Sequence, residues 1–202
     1  MRPYFLFIFL NILYTTVLLQ RLCSEKPPSD QNLKDCCSEF PNVIDLALIK
    51  FCNANFSSNT QQQQQTIQNN QMPKGDCVSE CITNSTKIYR GNGMIDRIHL
   101  ARLLLNSVSG NREWSLIITN SIAVCINETR IKADEFRQVT SMRPSFPNEI
   151  LCHPISGYLL GCINTEMFRR CKNIAQSSDC SNLQKYAENC HISMKYQEIK
   201  MK

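Results

Sequence analysis

The 202-residue sequence contains no C-x-x-C pair, no G-x-S-x-G and no H-E-x-x-H. The first absence removes the tight chelating turn of zinc ribbons; the other two remove the nucleophile elbow and the metalloprotease helix. Histidine is scarce as well, with His99, His153 and His191 the whole set. Asp96 precedes His99 by one helical turn, a spacing that permits contact. Yet no cysteine pair adjoins His99, and Arg90-Gly91-Asn92-Gly93 is too weak for a calcium loop, so a phospholipase-like centre is not expected. Cys152 and His153 are neighbours in the chain, a poor chelating geometry, and His153 reads as a surface residue at a helix start ahead of Pro154. No catalytic residue, metal or cofactor is expected.

Two further absences narrow the class. The 22 Lys and Arg residues neither cluster nor alternate with aromatics, so the +5 net charge is no nucleic-acid footprint. No segment beyond the N-terminus approaches the roughly 20 apolar residues of a membrane-spanning helix. Period-two alternation is also missing, which leaves helix as the regular structure.

What the sequence does have is a leader and many cysteines. MRPYFLFIFLNILYTTVLLQRLCS, residues 1–24, has one early cation and an apolar run from Tyr4 to Leu19, the pattern of a secretory signal cut after Ser24. A secreted, extracellular protein with one domain over residues 25–202 is expected, ending in a basic tail at 191–202 that carries Lys195, Lys200 and Lys202. The twelve cysteines are Cys23, Cys36, Cys37, Cys52, Cys77, Cys81, Cys125, Cys152, Cys162, Cys171, Cys180 and Cys190. Export oxidises thiols, so they read as a disulfide framework. A cut after Ser24 leaves eleven, implying five bridges and one thiol that is free or joined to another molecule.

Helical patterns follow one another along the chain. Phe40 to Cys52 places Val43, Leu46, Ile49 and Phe51 near helical spacing, and residues 53–75, rich in Gln and Asn, read as a flexible insertion. Cys77 and Cys81 share one face of a short helix. Residues 94–108 form a core helix, and the next segment aligns Trp114, Ile118 and Cys125, with Ile122 close by. Residues 154–171 are expected as a helix with Cys162 and Cys171 on opposite sides, and a last helix starts near Ser181 or Asn182. The fold class is all-α, a compact domain stapled by disulfides.

Cys52-x24-Cys77-x3-Cys81-x43-Cys125 together with Cys162-x8-Cys171 resembles the six-cysteine signature of insect odorant-binding proteins. The additional Cys152 and Cys180, and the Cys36-Cys37 pair, resemble the Plus-C subgroup of that family. The resemblance covers residues 36 to 190. It implies bridges Cys52–Cys81, Cys77–Cys162 and Cys125–Cys171, helices around an apolar cavity, and a carrier for small hydrophobic molecules such as odorants, pheromones or fatty ligands. It also implies a monomer or weak dimer whose protein partner is a chemosensory receptor. The residues expected to line the cavity are Leu103, Leu104, Trp114, Ile118, Ile122, Leu159 and Phe168, with Tyr158 as a polar contact at the rim. The competing reading is a secreted interaction or defence module in which the cysteines give only durability. Asn55, Asn84 and Asn127 begin N-x-S/T sequons and are candidate glycosylation sites, Asn127 with burial beside Cys125 as an obstacle.

Overall fold

Capping side chains and helical apolar spacing divide the chain into eight helices among the residues that the computed structural model describes, which are 33–63, 76–91, 93–140 and 150–191. These are α1 (Leu33–Cys36), α2 (Leu46–Gln63), α3 (Cys77–Ser85), α4 (Arg97–Asn106), α5 (Arg112–Ile131), α6 (Ala133–Thr140), α7 (Pro154–Arg169) and α8 (Ser178–Asn189). No strand occurs among the described residues, only isolated bridges between Cys37 and Ile174 and between Tyr89 and Ile95. The all-α expectation holds. The expected signal peptide and residues 192–202 of the expected basic tail lie outside the described residues.

Helices begin at side chains that accept the first exposed backbone N–H groups. Asp76 caps α3, Asp96 caps α4, Asn111 caps α5, His153 caps α7 and Ser177 caps α8. Each such cap is worth about 1 kcal/mol. They also move two boundaries: α4 starts at Arg97 rather than residue 94, and α8 starts at Ser178 rather than at Ser181 or Asn182. The insertion expected to be flexible over residues 53–75 is corrected for residues 53–63, which continue α2 instead of leaving it at Cys52. Neither Gly nor Pro interrupts that stretch, and Gln and Ala are good helix formers. Residues 64–75 lie outside the described residues.

α7 is the central helix. From Leu159 to Phe168 every residue is buried, because α3, α5, α6 and α8 all pack against it. α5 runs antiparallel to it: Lys172 Nζ meets Glu113 Oε1 at 2.7 Å at one end, and Tyr158 donates to Glu128 Oε2 at 3.1 Å at the other. Between these ends the Cys125–Cys162 bridge joins the two helices. α3 also packs against α7. Thr83 and Ser156 share a hydroxyl hydrogen bond of 2.7 Å, the His153 backbone N–H donates to Glu80 Oε2 at 2.6 Å, and Gly157 lies against the Cβ of Asp76.

Five bridges join described cysteines: Cys36–Cys180, Cys37–Cys171, Cys52–Cys81, Cys77–Cys152 and Cys125–Cys162. The implied Cys52–Cys81 pairing is present, tying α2 to α3. The implied Cys77–Cys162 and Cys125–Cys171 pairings are corrected. Cys152, just ahead of α7, reaches Cys77 at the start of α3, while Cys162 in mid-helix faces α5. Cys171 lies beyond the end of α7, where Cys37 meets it. α7 is therefore not stapled on two sides by Cys162 and Cys171. Cys190 is disulfide-bonded as well, and no described cysteine is a free thiol.

Candidate functional site

The apolar interior is one continuous cluster. α4 contributes Leu100 and Leu104, α5 contributes Trp114 and Ile118, and α7 contributes Leu159, Leu160, Ile163, Met167 and Phe168. Phe40, from the segment before α2, lies between two of these walls. Its ring is edge-on to Trp114 with centroids 5.8 Å apart, and tilted against Phe168 at 6.5 Å. Edge-on aromatic pairs at this separation add about 1 kcal/mol beyond the area they bury. Sequence reasoning placed Phe40 at the edge of a helix and missed its central role; no local signal marks it.

Of the eight residues expected to line a cavity, Leu104, Trp114, Ile118, Leu159 and Phe168 are buried within this cluster. Leu103 and Ile122 are partly buried and pack against it. Tyr158 stands apart. It belongs to a second cluster, polar and aromatic, at the end of α5 where α6 folds back over α7.

In that second cluster the Tyr158 ring meets His191 edge-on at 4.6 Å and Phe136 of α6 at 5.4 Å. Phe136 also touches His153, which in turn faces Tyr89 at 5.6 Å. Glu128 links the polar atoms: it accepts from the Tyr158 hydroxyl and lies 3.4 Å from His191 Nε2. Burial, followed by the charge of Glu128 and the hydrogen bond to it, pushes the Tyr158 hydroxyl well above its ordinary 10. Tyr158 is thus a neutral donor. Burial also lowers the pKa of His191, against the opposing pull of Glu128. Expected as a surface residue, His153 is half-buried, held between Tyr89 and Phe136.

Chemically this arrangement is poor at catalysis and at holding metal. Ligand atoms of Glu128, Cys162 and His191 lie within 4.8 Å of one another, but the Cys162 sulfur is already bonded to Cys125 and offers no thiolate. The Asp96–His99 pair does form, with Nδ1 2.8 Å from Oδ2. Asp96 is nevertheless occupied by helix capping: it accepts from the backbone N–H groups of Ile98 and His99, and Arg90 pairs with its second oxygen. That geometry secures the start of α4.

The sequence profile of the AgamOBP47-like family matches residues 41–186. The chain belongs to this family of insect odorant-binding proteins, of the Plus-C type. Odorant-binding protein 47 of Anopheles gambiae is 32% identical over 171 residues, which cover 83% of this chain and 73% of that protein. The odorant-binding family is one of secreted, non-enzymatic carriers of small hydrophobic molecules. Within it, the first-to-third, second-to-fifth and fourth-to-sixth bridge order is kept here once Cys152 and Cys162 stand as the fifth and sixth cysteines. The matched region contains α2 to α7 in full, and with them all eight residues expected to line a cavity, while Phe40 lies just before it.

Proposed function

We propose that this chain is exported and carries a small hydrophobic molecule, an odorant, a pheromone or a fatty compound, in the interior between α4, α5 and α7. The observation that carries the reading is the enclosure. An apolar cluster containing Trp114, Ile118, Leu159 and Phe168 is walled by helices bolted to one another through Cys125–Cys162 and Cys77–Cys152. Such walls let side chains part for a guest without loss of the fold. Burying about 300 Å² of ligand at ~25 cal/mol per Å² gives roughly 7 kcal/mol before association costs, so binding of about micromolar strength is the upper limit that this area alone supports.

Leu103, Leu104 and Ile122 complete the lining in this proposal. Tyr158, whose hydroxyl already donates to Glu128, accepts from a ligand hydroxyl at the rim. The test is uptake of N-phenyl-1-naphthylamine by the purified, oxidised protein, followed by its displacement with odorant-like alcohols and fatty acids. Trp114 is the single tryptophan and sits in the core, so its emission reports on entry directly. Uptake, displacement and a shift in that emission support a carrier. No uptake at tens of micromolar would favour a protein-interaction module.

A further inference from the structure

Asn127 lies on the outer face of α5. It is exposed although Cys125, two positions earlier, is fully buried, because side chains two apart on a helix point about 160° away from each other. The same outer face carries Leu116, Val124 and Ile131, which are 64%, 38% and 74% exposed. At 100° per residue all three lie within about 60° of Asn127. Val124 and Ile131 are its neighbours one turn away on either side. Asn127, Glu128 and Thr129 form an N-x-T sequon.

We propose that Asn127 carries an N-linked oligosaccharide that lies along α5 and covers Val124 and Ile131. Sugar rings offer apolar C–H faces bordered by hydroxyls, so they can cover an aliphatic stripe while remaining solvated. In the transfer, Asn127 Nδ2 forms a bond to C1 of a lipid-linked oligosaccharide, the polyprenyl diphosphate leaves with the electron pair of the broken C–O bond, and the amide gives up one proton. Thr129 sets the timing. It is buried in the folded chain and its hydroxyl donates to the Ile126 carbonyl at 2.8 Å, so transfer precedes the folding of α5. The bridge that fixes α5 has its second sulfur 37 residues further along, at Cys162, which leaves an interval during synthesis when the sequon is extended.

This inference rests on the export proposed above, and the experiment separates the two. The full chain, leader included, is expressed in cultured insect cells, and the reduced tryptic peptide 113–130 from the medium is weighed. An oligosaccharide on Asn127 in the secreted protein supports the site; secreted protein with that peptide unmodified overturns it while leaving export intact. Retention of all of the protein inside the cell overturns export, and the same peptide unmodified in the retained protein overturns the site as well. Covering of the stripe is read by light scattering of Asn127→Gln and of wild-type protein deglycosylated after folding. Both should self-associate more than the glycoprotein, and Asn127→Gln combined with Ile131→Gln should reverse the change. Equal scattering from glycosylated and stripped wild-type protein would overturn the covering role.

Discussion

The Nδ1 atom of His153 accepts the backbone N–H of Ile155 at 3.2 Å, so an imidazole caps the central helix α7. A ring nitrogen accepts only when it carries no proton, which fixes the neutral tautomer with hydrogen on Nε2. Burial lowers the His153 pKa below 6.5. The sign follows: a histidine that is harder to protonate when folded contributes its full stability above 6.5 and loses it as pH falls from there through the lower folded value. The urea midpoint of the wild type should therefore drop between about pH 7 and about pH 5. His153→Asn keeps a capping acceptor but cannot titrate, so its profile should be flatter by up to about 1 kcal/mol. Some slope persists, because the His191 pKa is lowered too. Parallel profiles for the two proteins would show that the cap does not sense protons.

The helical class was legible from apolar spacing, and Trp114, Ile118 and Cys125 do share the buried face of α5. The cysteine register was not. Two short gaps, Cys152 to Cys162 and Cys162 to Cys171, compete for one place in the framework, and the choice depends on where α7 ends. That end at Arg169 puts Cys171 off the helix, a matter of one turn that periodicity does not resolve. His153 was misread for a related reason. Its neighbours Tyr89 and Glu80 come from a distant part of the chain, brought to it by the Cys77–Cys152 bridge. The Gln-rich run misled through composition: polarity argued for disorder, while the lack of any breaker let α2 continue to Gln63.

Peptide mapping of the oxidised protein should recover Cys77 with Cys152 and Cys125 with Cys162. Stability gives a second check. Bridges spanning 29 and 75 residues restrict the unfolded chain to different extents. In the chain-entropy model they contribute roughly 3.5 and roughly 4.5 kcal/mol. Replacing Cys77 and Cys152 by serine should thus cost about 1 kcal/mol more than replacing Cys52 and Cys81, measured by denaturant unfolding. The reverse order would mean that local packing, rather than loop length, governs these staples.

Gly157 should tolerate no side chain. A Cβ at this position would sit 2.9 Å from the Cβ of Asp76, and neither partner can swing aside. Gly157 is inside the central helix, and Asp76 is anchored as the cap of α3, where it accepts from Val78 and from Ser79 Oγ. Elsewhere in a helix, replacing Gly by Ala gains about 1 kcal/mol. Here Gly157→Ala should instead destabilise by about 1 to 3 kcal/mol, the usual cost of overpacking. Thermal unfolding of the variant measures it, and a raised midpoint would show that α3 and α7 can separate freely.

Asp96 gives a pH response of the same sign as His153, in a more acidic window. The His99 backbone N–H and then the His99 ring, helped by Arg90, hold its carboxyl well below its ordinary 3.8 despite burial. A carboxylate that is easier to ionise when folded contributes its stability above 3.8, and that contribution disappears as pH falls through the lower folded value. Asp96→Asn retains a good capping oxygen and loses the charge that attracts Arg90 and His99. The variant should melt below the wild type at neutral pH, and the gap should close as the solution is acidified below about pH 4. Melting curves collected down to about pH 2 decide the matter, since a gap that stays constant would assign the loss to cap geometry alone.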